Sequence, residues 1–158
     1  MEPVPEDIAD DIALRGYINP LAARLMLRRW PVRDQQIILT AAGSDCARLL
    51  GQWALAGGVR RVIGLHRAPH LSRLGIQPLA MHRESEILRL AAQSSLVFDA
   101  VGAGLAALRP SATLISYGLL SGHPLPVTPG GAMLQRFHLR DALALAALCA
   151  AVAAGAKR

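Results

Sequence analysis

Apolar positions along this chain follow two rhythms. Some recur every three to four residues, as on a helix face, and others form short runs that are apolar throughout. Residues 6–14 carry Ile8 and Ile12 with Ala9 and Ala13 at helical spacing, which predicts a short amphipathic helix stopped by Gly16. Asn19 is the expected cap of a second helix, with Pro20 in its first turn, running to Arg29. Residues 36–41 are apolar and β-branched and read as a strand. Asp45 to Ala56 follows as a helix, with Cys46, Leu49, Leu50, Trp53 and Ala54 on one stripe and Gly57-Gly58 at its end.

The alternation continues. Strands are expected at residues 61–65, 77–81, 95–100 and 112–117. Helices are expected at 68–74 and 84–93, with a helical turn at 105–108. Residues 137–139 are a candidate sixth strand, and 141–154 a last helix. Short apolar strands separated by helices indicate a parallel sheet covered on both faces. The expectation is therefore an α/β, Rossmann-type, doubly wound sheet of order 3-2-1-4-5 with a possible sixth strand, its ligand at the carboxyl edge where the order reverses. Residues 1–16 would lead in, 17–140 would form the nucleotide-binding domain, and 141–158 an alanine-rich C-terminal helix.

Composition narrows the function classes. The chain has 158 residues, of which 53% are hydrophobic and 18% charged, so it can build a core rather than remain disordered. The net charge is +6, almost all from arginine, since Lys157 is the only lysine. These charges are scattered, with no basic run longer than two residues and few aromatics beside them, which argues against nucleic acid. Cys46 and Cys149 cannot build a disulfide framework and lack metal-ligand spacing, so no metal site is expected. The polar, acidic start does not read as a signal peptide, and the default compartment is the cytoplasm. The longest apolar stretch, 142–156, is shorter than the about 20 residues a spanning helix needs, so no membrane is expected.

The turn after the first strand carries the main chemical signal. A dinucleotide site needs a tight strand-to-helix turn with little side-chain bulk, so that backbone N–H groups can face a diphosphate at the helix N-terminus. Ala41, Ala42 and Gly43 are small, Ser44 offers a hydroxyl, and Ala47 stands where the third glycine of the common fingerprint often becomes alanine. Gly43, Ser44, Asp45, Cys46 and Ala47 are thus candidate cofactor contacts. The plainer alternative is that Ser44 or Asp45 simply caps the helix. The Asp45 carboxylate would repel a diphosphate unless it points elsewhere.

At the end of the second strand, Gly64-Leu65-His66-Arg67 holds no acid of the kind that binds the ribose hydroxyls of NAD. Arg67 could pair with a 2′-phosphate, with His66 nearby, which favours NADP(H). The alternative is a solvated surface arginine.

Several segments together resemble the zinc-independent medium-chain dehydrogenase/reductases, closest to the quinone oxidoreductase-like proteins and 2-enoyl thioester reductases. Tyr17-Ile18-Asn19-Pro20-Leu21-Ala22-Ala23 is similar to that family's I-N-P-x-T-A helix start, with Ala22 where threonine is usual. Thr40 to Ala47 is similar to its N-A-A-x-S-A-V-G turn, with Asp45 and Ala47 in place of alanine and glycine. Val62 to Arg67 resembles its V-I-x-x-x-R strand end, which implies Arg67 at the 2′-phosphate. Val97-Phe98-Asp99-Ala100-Val101-Gly102 matches V-F-D-A-V-G, which implies Ala100 and Val101 near the cofactor ribose. Leu114-Ile115-Ser116-Tyr117-Gly118 matches the fifth strand, which implies Ser116 and Tyr117 near the nicotinamide. The likeness covers about residues 8–130 and corresponds to the cofactor-binding domain only.

The resemblance implies an NADP(H)-dependent oxidoreductase transferring hydride to a quinone or an activated enoyl double bond, and a homodimer paired at sheet edges. The family's N-terminal domain, which carries the catalytic tyrosine of the enoyl reductases, has no counterpart here, so no catalytic residue is assigned. Tyr117 could line the nicotinamide pocket or be a partly buried strand tyrosine. Alternatives are a truncated, non-catalytic nucleotide-binding protein, a subunit completed by a partner, or a basic interaction module. Trp30 and Trp53 read as core.

Overall fold

The computed structural model of the chain describes residues 16–66, 70–102, 108, 111–118, 120, 122 and 131–144. Helix α1 (Ile18–Arg29) leads into β1 (Gln36–Leu39), α2 (Asp45–Ala56), β2 (Arg61–Leu65), α3 (His70–Arg73), β3 (Gln77–Leu79), α4 (Glu84–Ala91), β4 (Leu96–Asp99), β5 (Thr113–Ser116) and β6 (Met133–Arg136). The six strands form one sheet of order β3-β2-β1-β4-β5-β6, and every pairing is parallel. The fold is the Rossmann-type sheet that the alternation predicts, with the sixth strand present.

Period-two alternation divides the core between the two faces of the sheet. Ile37, Leu39, Phe98 and Ile115 face α1 and α2, packing with Met26, Leu50 and Ala54. Ile38, Ile63, Val97 and Leu114 face the other way, against Ile87, Leu90 and Ala91 of α4. All four residues of β1 are buried, as a central strand covered on both sides requires.

Three expectations change. The sixth strand is Met133–Arg136 rather than 137–139. Its register against β5 begins at Thr113 opposite Met133, and Phe137 only continues the ladder by donating its N–H to the Ser116 carbonyl. Residues 139–144 are already helical. Asn19 does not cap α1: the helix begins at Ile18, and the preceding Tyr17 makes no side-chain cap bond. Finally, β1 and β3 end two residues earlier than expected, β1 because Ala41 turns to a left-handed φ of 47°. The helix expected at 6–14, Arg67, most of the turn at 105–108 and the last helix beyond residue 144 lie outside the described residues.

The amino end of the sheet is closed by side chains. Gln36 donates to the Leu90 carbonyl at 3.1 Å and to Ser94 Oγ at 3.0 Å, and Ser94 donates to the same carbonyl at 2.8 Å. Arg61 donates to Gln77 Oε1 at 2.8 Å. Trp30, a core residue as expected, ties α1 to β6 by donating from Nε1 to Gln135 Oε1 at 2.9 Å. Edge strand β3 contains Pro78, and the Leu79 carbonyl accepts from the His66 N–H, so Leu79 points its polar backbone at β2.

Candidate functional site

The carboxyl ends of β1, β4 and β5 meet around one buried polar cluster. Asp99, only 1% exposed, accepts from the Thr40 hydroxyl at 2.7 Å, the Val101 N–H at 3.0 Å and the Gly102 N–H at 3.0 Å. Thr40 Oγ1 in turn accepts from the Ala100 N–H at 2.8 Å. A carboxylate this deep persists because three donors replace its water. The result fastens the loop after β4 to the end of β1, fixing Ala100 and Val101 beside the turn. Neither Thr40 nor Asp99 was among the expected site residues. An aspartate inside an apolar strand was the available signal, since such a residue demands partners.

The turn itself follows. The Ser44 N–H donates to the Ala41 carbonyl at 2.9 Å, and Ser44 Oγ accepts from the Ala47 N–H at 3.3 Å, so Ser44 caps α2. Asp45 pairs with Arg48 on the next turn of the helix. That pair is half-buried and holds the carboxylate along the helix. Ala42 and Ala47 are fully buried beneath the turn. Gly43 carries the His66 ring: a Cβ there would lie 2.7 Å from His66 Nε2. His66 and Gly43, far apart in sequence, therefore meet on the β2 side of the turn.

On the β5 side the strand ends come unusually close. A Cβ on Gly118 would sit 2.7 Å from the Ala100 carbonyl oxygen, a backbone atom that cannot swing away. Only glycine fits, and the Leu120 N–H donates to that carbonyl at 3.0 Å. Ser116 is buried, and Tyr117 donates its N–H to the Asp99 carbonyl at 2.9 Å.

The Tyr117 hydroxyl is shut off from solvent and has no hydrogen-bond partner. Burial pushes its pKa well above the usual phenol range, and Cys46 and Asp99 push the same way. Ser44 lies near enough to oppose this slightly, although no bond of acceptable geometry joins the two oxygens. Burial also raises the Cys46 thiol to about 11, and its Sγ approaches the Asn19 carbonyl at 3.9 Å.

Ser44, Cys46, Ala100 and Tyr117 line one cleft of about 820 Å³, walled further by apolar residues including Tyr17 and Leu120. Gly43, His66, Asp45, Ala47, Val101 and Ser116 are not part of its lining. Among the described residues, no group of three His, Cys, Asp or Glu side chains could hold a metal ion. None of their helices is long and apolar enough to cross a membrane.

A parallel sheet whose order reverses between β1 and β4, with a capped strand-to-helix turn at that reversal, defines a Rossmann-type domain. Solved structures specify which kind. A mycobacterial protein complexed with NADPH is 27% identical, with a TM-score of 0.71, over 86% of this chain and 49% of its own. A Bacillus thuringiensis protein provisionally described as an NADPH:quinone reductase is also 27% identical, with a TM-score of 0.71, over 88% of this chain and 48% of its own. The Escherichia coli quinone oxidoreductase complexed with NADPH shares the fold at 21% identity, with a TM-score of 0.71, over 98% of this chain and 56% of its own. The chain thus spans about half the length of the proteins it matches. No protein-family profile and no curated protein matches the sequence. The structural likeness agrees with the sequence motifs: both point to the quinone oxidoreductase-like medium-chain dehydrogenase/reductases.

Proposed function

We propose that this chain is the NADP(H)-binding domain of a quinone oxidoreductase-like protein, serving hydride transfer to a quinone or an activated enoyl double bond. The observation that carries the reading is the turn at the switch point, where small residues sit over buried Ala42 and Ala47 and Ser44 caps the start of α2. Structural relatives of this sheet bind NADPH.

The residues present fit such a cofactor. The amides of Gly43, Asp45 and Cys46 would face the diphosphate, with the Ser44 hydroxyl and, once its cap bond opens, the Ala47 amide beside them, and with the α2 dipole favouring the anion. His66, lying over Gly43, and Arg67 would take the 2′-phosphate. Ala100 and Val101 would flank the ribose, and Ser116 and Tyr117 the nicotinamide side. NADPH, when bound, supplies the hydride. The protein's part is to hold it with the apolar cleft on its substrate side, where water is scarce. The reading carries with it the family's zinc-independence, a cytoplasmic setting and a homodimer.

A second reading, a nucleotide-binding subunit whose chemistry needs additional protein, is favoured by the cleft wall. Tyr17 is 62% exposed and Leu120 69%, which is unusual for large apolar residues gathered in one place.

Titration of the purified protein with NADPH and NADH, followed by nicotinamide fluorescence and melting temperature, tests the binding claim. NADPH should bind at least tenfold more tightly, and Arg67→Ala should remove most of that preference. Equal affinity for the two cofactors in the native protein would refute the 2′-phosphate assignment. Oxidation of NADPH by a quinone or an enoyl thioester in the presence of this chain alone distinguishes the first reading from the second.

A further inference from the structure

Two hydroxyls near the turn are poorly matched to their surroundings. Ser44 Oγ accepts from the Ala47 N–H at 3.3 Å, long for such a bond. Beside it, the Tyr117 hydroxyl is sealed from water and makes no hydrogen bond of acceptable geometry, although Ser44 lies within reach of it. A buried hydroxyl without an acceptor is disfavoured, and a fold retains one where another arrangement uses it. The groups facing this phenol oxygen are Ser44, Cys46 and Asp99. Asp99 is committed to Thr40 and two backbone amides, and Cys46 approaches the Asn19 carbonyl. Ser44 is the acceptor with capacity, since a hydroxyl oxygen has two lone pairs and one proton of its own.

We propose that Tyr117 is a positioning residue for diphosphate-bearing ligands, its hydroxyl donating to Ser44 Oγ once the Ala47 amide has turned to the anion. This rests on the cofactor reading above and assigns the phenol a different task from lining the nicotinamide pocket. While Ser44 caps α2, its oxygen is aimed at the Ala47 N–H. When that amide serves an anion, Ser44 loses its cap bond and is free to rotate. Its O–H then donates to the anion while its oxygen accepts from the phenol. Tyr117 thereby holds Ser44 in the donating orientation. Burial keeps the phenol protonated throughout the working pH range, so this donor is always available. The exchange adds one neutral hydrogen bond on binding, worth roughly three- to tenfold in affinity.

The test is a double-mutant cycle on the full chain with NADPH as probe, read by fluorescence titration. Tyr117→Phe should weaken binding roughly three- to tenfold, while the melting temperature of the free protein stays level or rises because a buried unpaired hydroxyl is gone. Ser44→Gly, which keeps a good N-cap backbone, should also weaken binding. Adding Tyr117→Phe to Ser44→Gly should then cost nothing further, because the acceptor is missing. Unchanged affinity in Tyr117→Phe, or an equal loss with and without Ser44, would overturn the proposal. A lower melting temperature of free Tyr117→Phe would do so too, by showing that the hydroxyl supports the fold. A native protein that ignores NADPH altogether would remove the cofactor reading as well, which keeps the two failures apart.

Discussion

The two ends of the sheet bury similar amounts of polar chemistry and use it differently. At the amino end, Gln36, Ser94, Arg61 and Gln77 satisfy one another and the Leu90 carbonyl. At the carboxyl end, Thr40 and Asp99 are fully paired, but Tyr117 beside them is not, and the ends of β4 and β5 open on a large apolar cleft. A polar network that closes on itself fixes strand order and register. One that stops short leaves a hydroxyl, that of Tyr117, unpaired beside the turn. The same chemistry is thus structural at one end and available at the other.

The strongest way to break this comparison is at Asp99. Asp99→Ala strands three buried donors and should lower stability by about 3 kcal/mol in urea unfolding, with NADPH affinity lost as the β4 loop loosens. A loss below about 1 kcal/mol would mean the cluster is not a fastening. Gly118→Ala pushes a methyl against the Ala100 carbonyl and should cost about 2 kcal/mol, again with weaker NADPH binding. Gln36→Ala at the opposite end should cost about 1–2 kcal/mol yet leave NADPH affinity unchanged. If Gln36→Ala weakened binding as Gly118→Ala does, the division between the two ends would fail.

The smallest effect belongs to Cys46. Its folded pKa of about 11 lies above the ordinary 9.0, so between those values the unfolded chain has lost a proton that the folded chain keeps. Stability should therefore be full below pH 9.0 and decline toward pH 11, a slope that Cys46→Ala removes. Alkylation of the native thiol at pH 8 should be slow, because little thiolate forms.

Elements whose pattern is local were legible in the sequence. The bounds of Asp45–Ala56 and Arg61–Leu65 match expectation because their apolar stripe and run end at glycine or polar residues. Strand β6 was misplaced because an edge strand needs little apolar character, and Met-Leu-Gln-Arg shows no buried run. The partners within the carboxyl-edge cluster were missed for a different reason. Thr40 and Asp99 are 59 residues apart, and nothing in either neighbourhood announces the other. His66 on Gly43 and Tyr117 beside Ser44 are the same kind of contact, created only when the sheet assembles.

Pro78 has a consequence for how this sheet can meet other molecules. Successive residues of a strand turn their polar backbone to opposite sides, so with Leu79 directed at β2 the Pro78 position faces outward, and there it has no N–H to offer. A seventh strand seeking to add beside β3 would find its central donor missing. Lateral growth of the sheet beside β3, whether by self-association or by a foreign strand, is thereby disfavoured, giving the molecule one blunt margin.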